Sequence, residues 1–263
     1  MSEETQPHPH LRVTREGAVL TVTLSSPERR NAQTPSLWLA LAAIARGLES
    51  DVRVVVIRAD GPSFSAGLDL RVLSPSGIEG EVSILESAAE SAEAMAEVIA
   101  PFQEGFAAWA DTHAVVVAAV QGHAIGAGFQ LALAADLRVV ADDVQLVMRE
   151  TSLGLVPDLG GTGPLVGLVG YSKALELCAT GRAVGAAEAV ASGLAAVAVP
   201  AEELDATTGD LVAAILSAPE PALRELKPLL RAALTTGRDD QLRLEREAQG
   251  RLLHALAAAR PRP

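Results

Sequence analysis

The sequence predicts an α/β fold followed by a region of helices alone, and three patterns predict it. Apolar, β-branched runs at residues 52–57 and 114–120 have the composition of buried strands. Each leads into a glycine-containing turn, Phe64-Ser65-Ala66-Gly67-Leu68-Asp69 after the first and residues 121–128 after the second, and then into a helical pattern. Beyond Pro200 the strand pattern stops, and residues 211–216, 222–234 and 241–259 are candidate helices. The expected organisation is a core over residues 1–199 and a helical packing region over 200–263, with neither a low-complexity linker nor a solenoid repeat between them.

Taken in order, residues 11–15 and 18–24 form a hairpin turning at Glu16-Gly17, with Leu20, Val22 and Leu24 on one face. Thr34-Pro35 starts a helix whose inner face carries Leu37, Leu41, Ile44 and Leu48. The strand at 52–57 ends in the turn Ala59-Asp60-Gly61-Pro62. Residues 79–110 are an acidic, alanine-rich helical stretch with little patterning, either the wall of a pocket or a plain surface helix. A helix at 129–135, short strands at 137–140 and 144–148, and a glycine-rich turn at 157–163 follow; the turn opens a helix that breaks near Gly170.

Composition narrows the function. The chain has 263 residues, 49% of them hydrophobic and only 3% aromatic, so Ala, Val and Leu must build the core. A formal net charge of −12 repels nucleic acid and anionic membranes, and basic residues nowhere cluster against it. Between Arg71 and Arg138 there is no Lys or Arg but seven Glu, which describes a solvated acidic face. Cys178 is the single cysteine, so an internal disulfide or a cysteine zinc cluster is ruled out and a reducing cytoplasm is the expected compartment. The N-terminal stretch with His8 and His10 lacks the apolar centre of a signal peptide, and residues 115–120 are too short to span a bilayer.

Several familiar motifs fail on inspection. Gly126-Ala127-Gly128 has Leu131 where a dinucleotide fingerprint needs its third glycine. Gly160-Gly161-Thr162-Gly163 lacks the lysine of a phosphate loop, and Gly61-Pro62-Ser63-Phe64-Ser65 lacks the last glycine of a nucleophile elbow. His113 and His123 have no second ligand at metal-binding spacing, so no metal is expected. What remains is a pair of turns that bare backbone N–H groups where a strand hands over to a helix. Two such donors aimed at one carbonyl oxygen stabilise an enolate, and one lost donor costs about 3 kcal/mol in sites of this kind.

Taken together, six blocks in order resemble the enoyl-CoA hydratase/isomerase (crotonase) superfamily along nearly the whole chain. They are Pro27-Glu28-Arg29-Arg30-Asn31-Ala32, Phe64 through Leu70, Gln121 through Gly128, Ala135-Asp136-Leu137-Arg138, Gly154-Leu155-Val156-Pro157-Asp158 with Gly160-Gly161-Thr162, and Thr180-Gly181-Arg182 leading to Glu188-Ala189 and Gly193-Leu194. The resemblance implies a crotonase (ClpP-like) spiral of ββα units with a C-terminal helical region, assembled as a homotrimer or a dimer of trimers. It also implies an acyl-CoA substrate and no cofactor beyond the coenzyme A that the substrate carries. The oxyanion donors would be the N–H groups of Leu68 and Ala127, and Arg29, Ala32, Ala66, Asp69, Leu70 and Arg71 would lie along the CoA moiety. Arg29 or Arg30 would pair with a CoA phosphate or serve as a surface charge, and Asp69 would orient its own loop.

The acids follow from the same resemblance. Hydratases of the family hold water between two glutamates, and here the corresponding residues are Gln130 and Glu150. A glutamine hydrogen-bonds water but does not take its proton, which impairs hydration. Relatives that shift a double bond from the 3 to the 2 position use the downstream glutamate alone, so the expectation is an enoyl-CoA isomerase with Glu150 as the proton shuttle and Gln130 positioning substrate or water. Arg149 would lower the basicity of Glu150 if their side chains met. Asp158 either caps the following helix or joins in proton transfer. The rival expectations are an enoyl-CoA hydratase, a lyase with Asp158 as second acid, and, from another class, an acyl-CoA-binding protein that has lost catalysis.

Overall fold

The computed structural model describes residues 3–259. Strand β1 (Glu3–His8) pairs antiparallel with β2 (Leu11–Glu16), and β2 with β3 (Val19–Leu24) around Gly17, whose φ of 57° is a conformation that favours glycine. The hairpin over β2 and β3 was legible in the alternation of its side chains. β1 was not, because Glu3, Glu4, Gln6 and Pro7 carry no apolar alternation and the strand is exposed along most of its length.

Helix α1 (Pro35–Arg46) follows, with proline in its first turn, and turns Leu37, Trp38, Leu41 and Ala45 inward. The chain then enters β4 (Val54–Ala59), parallel to β3. Its Val54, Val55, Val56 and Ile57 are all buried, the continuous apolar run expected of a parallel strand covered on both faces.

The acidic stretch splits into α2 (Ile84–Glu90) and α3 (Ala92–Asp111) at Ser91, whose hydroxyl accepts the Ala94 N–H and caps α3. A plain surface helix is the wrong description of its second half. Phe102, Phe106 and Trp109 are buried there, and Trp38 of α1 lies 5.5 Å from the ring of Phe102 and 6.0 Å from that of Phe106. Gly105 makes this approach possible, since a Cβ there would stand 2.5 Å from the Trp38 carbonyl oxygen.

Strands β5 (Val115–Val120) and β6 (His123–Ile125) lead to α4 (Ala127–Ala134), then β7 (Leu137–Ala141) and β8 (Gln145–Val147). Helices α5 (Thr162–Val169), α6 (Tyr171–Thr180) and α7 (Ala186–Ala191), strand β9 (Val197–Val199) and α8 (Leu204–Ser217) complete the sequence up to the C-terminal helices. The main sheet has the order β1-β2-β3-β4-β5-β7-β9, parallel from β3 onward. A second, narrow row pairs β6 with β8 and is extended by single bridges from Ser65 to Ala124 and from Leu146 to Val184. Each turn of the chain therefore contributes one strand to the main sheet and a short stretch to the second row, the ββα spiral that the resemblance implied.

Among the described residues two compact units are distinguished, one up to Val212 and one from Ala213 onward, with the division inside α8. In the second unit α9 (Glu220–Ala232) and α10 (Arg238–Ala258) are tied by an Arg251–Glu225 ion pair at 2.6 Å and by Gln241 donating to the Leu229 carbonyl at 3.1 Å. Among the described residues no helix is long and apolar enough to cross a membrane.

Candidate active site

The second row of short pairings brings the two glycine turns side by side. Ser65 N–H donates to the His123 carbonyl at 2.8 Å, and Ile125 N–H donates to the Ser65 carbonyl at 3.0 Å. Gly67 fits against this neighbour only for lack of a side chain, because a Cβ would collide with the Ile125 carbonyl and stand 3.4 Å from the Ala127 nitrogen. Gly128 is equally constrained, with Ser65 directly beneath it.

The direction of the Leu68 N–H follows from its bridge to Gln33. Gln33 N–H donates to the Gly67 carbonyl and Asp69 N–H donates to the Gln33 carbonyl, both at 2.8 Å. The groups on either side of Leu68 thus face residue 33, and in an extended chain the N–H of Leu68 itself faces the opposite edge. On that edge Ala127 opens α4, so its N–H is one of the orphan donors of a helix N-terminus. Among the described residues neither the Leu68 nor the Ala127 N–H has a hydrogen-bond partner.

Helix α4 is held at both ends. At its N-terminus Gly126 takes φ 52° and ψ −118°, a region closed to other residues, and its N–H bonds the Val147 carbonyl at 2.8 Å. At its C-terminus the buried Arg138 guanidinium donates to the carbonyls of Ala132, Ala135 and Leu194, a cation set where the helix dipole favours one. Burial lowers the Arg138 pKa to about 10, so it stays charged at neutral pH.

Glu150 begins the turn after β8, and its carboxylate lies over Gly126: a Cβ there would be 3.3 Å from Oε1. The Gln130 amide nitrogen donates to that same Oε1 at 2.7 Å. The orientation of the amide is fixed by its other end, where the Gln130 oxygen accepts the N–H groups of Leu159 at 3.0 Å and Gly161 at 3.2 Å. Gly161 must be glycine for this contact, since a Cβ would press within 2.7 Å of Gln130 Cγ. Both ends of the Gln130 amide are committed, while Glu150 Oε2 is buried with no partner.

Burial, reinforced by the negative charge of Asp158, pushes the Glu150 pKa up against the opposing hydrogen bonds from Gln130 and the backbone. Arg149 is exposed, and its side-chain charge is not among the influences on the Glu150 carboxyl. Asp158 is also raised by burial. It does not cap α5, whose first turn is entered from Gly161 without a side-chain cap. Its carbonyl instead accepts the amide of Gln103 from α3 at 2.6 Å. Cys178 is half-buried against the core, and burial together with the nearby Glu150 raises its pKa, so its thiol is a poor nucleophile.

The residues expected along the CoA moiety surround the first turn. Ala32 and Ala66 are half-buried, and Leu70 and Arg71 are exposed. Buried Asp69 caps the short turn that follows it, accepting the Arg71 N–H and guanidinium, and it also pairs with Arg29. Two guanidinium groups on one carboxylate leave an excess positive charge at the mouth of the turn. His113 and His123 bond the Val52 carbonyl and the Ser63 hydroxyl.

Gln33, Ser65 and Gly161 were missed as contributors. Gly161 had a signal, because a glycine pair in a turn marks close backbone approach, but its partner Gln130 is far away in sequence. Gln33 had none, standing in a polar run that resembles any loop.

A spiral of ββα turns that sets two glycine turns side by side, with the half-buried Glu150 over the second, is the architecture of a crotonase-type enzyme. Residues 14–258 match the family model described as enoyl-CoA hydratase/isomerase. The enoyl-CoA hydratase candidate echA8 of Mycobacterium tuberculosis is 30% identical over 251 residues, 94% of this chain and 89% of its own length. Carnitinyl-CoA dehydratase of Salmonella typhi is 32% identical over 225 residues, 84% of this chain and 80% of its own. Among solved structures, a candidate enoyl-CoA hydratase from Thermobifida fusca YX in complex with acetoacetyl-CoA superposes with a TM-score of 0.89 at 46% identity, covering 94% of this chain and 95% of that one. The chain belongs to the enoyl-CoA hydratase/isomerase family and is an acyl-CoA enzyme of that family.

Proposed function

We propose that the protein moves a double bond in an acyl-CoA thioester, converting 3-enoyl-CoA to 2-enoyl-CoA. The observation that carries this reading is the single free carboxylate oxygen. Gln130 holds Oε1 of Glu150 and has its own oxygen occupied by two backbone donors, which leaves Oε2 as the unpartnered oxygen and the one assigned to take and return a proton. The thioester oxygen accepts from the N–H groups of Leu68 and Ala127. Glu150 Oε2 removes a proton from C2, the electron pair spreads over the C2–C4 dienolate, and the same proton returns at C4 to leave the double bond between C2 and C3. The excess charge of Arg29 and Arg71 over Asp69, with exposed Leu70 beside it, suits the phosphates and adenosine of CoA. No further cofactor enters this scheme, and the lone thiol suits a reducing cytoplasm.

The likeness to an enoyl-CoA hydratase and to a carnitinyl-CoA dehydratase favours a second reading, hydration or dehydration, in which Asp158 supplies the second acid. Presenting 3-enoyl-CoA and 2-enoyl-CoA separately to the purified protein decides between them. Isomerisation of the first should be fast and hydration of the second slow; the reverse order would overturn the isomerase in favour of the hydratase. Assembly as a homotrimer or dimer of trimers belongs to the same proposal, supported by the exposed Leu226 and Leu230 of α9 and Leu253 and Leu256 of α10.

A further inference from the structure

We infer that Ser65 is the positioning residue that sets the relative placement of the two oxyanion donors, with Gln33 as its anchor. This rests on the assignment of Leu68 and Ala127 as those donors. Ser65 is wholly buried and is bonded to both turns at once. Its backbone is paired with the second turn, through His123 and Ile125, two residues before Ala127. Its hydroxyl serves the first turn: it donates to the Asn31 carbonyl at 2.7 Å, accepts the Gly67 N–H at 3.1 Å, and accepts the Gln33 side-chain amide at 3.0 Å. With the hydroxyl proton spent on Asn31, both lone pairs remain for the two N–H donors, so the set is fully satisfied.

The Gly67 N–H belongs to the peptide immediately before the Leu68 donor. Holding it steadies Gly67 on one side, while the peptide that carries the Leu68 N–H is held on the other by the bond from the Gln33 N–H to the Gly67 carbonyl, and the backbone of the same serine fixes the strand from which Ala127 emerges. The Gln33 amide cannot turn over, because its oxygen accepts the Trp38 indole N–H at 2.8 Å. A chain of three buried side chains, Trp38 to Gln33 to Ser65, thus ends on the Gly67 N–H, in a core where an unmet polar group is costly. A catalytic geometry that tolerates little misplacement gives such a network a use beyond stability.

The test uses the full protein with butyryl-CoA isotope-labelled at its thioester carbonyl, a saturated ligand that binds without reacting, and follows the carbonyl stretch by difference infrared spectroscopy. In the unsubstituted protein the band should lie well below its position in free butyryl-CoA; a band at the free position would mean that the oxyanion assignment itself has failed. Ser65→Ala should move the band back toward the free value and lower kcat by about 10- to 100-fold while KM stays within about twofold. Gln33→Met, which leaves the hydroxyl but removes its anchoring donor, should shift both in the same direction by less, and it carries the test if Ser65→Ala does not fold. An unmoved band and unchanged kcat in whichever variant is folded would overturn the inference, as would a loss confined to KM or thermal stability.

Discussion

The two halves of the candidate site are built on opposite principles. In the half that the proposal gives to the donors, the buried polar side chains Ser65, Gln33, Asn31 and Trp38 all have partners, and the turns are locked by glycines with no room for a side chain. In the proton-moving half Glu150 is desolvated, one of its oxygens has no partner, and Asp158 adds a second negative charge. Saturation gives the first half fixed geometry, and deprivation gives the second half a usable pKa. A dipole that must not move is best fully bonded. A group that must gain and lose a proton is best left short of bonds.

The largest expected effect comes from erasing the deprived group. Glu150→Gln keeps the shape and removes the base, and kcat should fall on the order of 10²–10⁴-fold with little change in acyl-CoA binding. The same substitution should raise the melting temperature at neutral pH. A carboxyl whose folded pKa is raised holds more protons folded than unfolded, so its contribution to stability declines as pH rises through the window above its unfolded pKa, and Gln has no charge to desolvate. Steady-state kinetics and thermal unfolding check the pair; unchanged turnover would revive the reading of a catalytically silent binder.

Next in size is Gln130→Glu, which makes the two acids of a hydratase. One oxygen of the new residue can keep the Leu159 and Gly161 N–H groups, and the other meets Glu150 Oε1 where an amide had donated. Hydration of 2-enoyl-CoA should increase relative to isomerisation. The Glu150 pKa should rise further, since adjacent carboxylates do not ionise together readily, and the acid limb of the rate profile should move to higher pH. No gain in hydration would show that position 130 is not a hydrating position in this protein.

The contrast also explains what was legible in the sequence. Glycines and buried strands announce themselves locally, so both donor turns, the hairpin over β2 and β3, and the helical C-terminus could be drawn from composition and spacing. The acids needed the family resemblance, because nothing local distinguishes Glu150 from other glutamates. What escaped depends on tertiary approach. The aromatic wall of α3 was obscured by acidic residues on its other face, and β1 forms on a polar strand that borrows its order from β2. The clamp of Gln130 onto Leu159 and Gly161, and of Gln33 onto Ser65, joins groups whose pairing is set by the fold and not by their neighbours in the chain.

The smallest expected effect separates two roles for Asp158. If its charge only adds to the raised Glu150 pKa, Asp158→Asn removes one upward influence and leaves burial, the larger one, in place. The general base then ionises at lower pH, so the acid limb of the kcat profile should shift down while the plateau changes little. If Asp158 instead carries a proton to or from substrate, the plateau itself must collapse, because asparagine cannot take that proton at any pH. A pH–rate profile of this one variant on 3-enoyl-CoA thus reports whether the deprived half of the site holds one working acid or two. A single acid fits the bonding around Gln130, where an amide locked at both ends leaves Glu150 Oε2 without a partner.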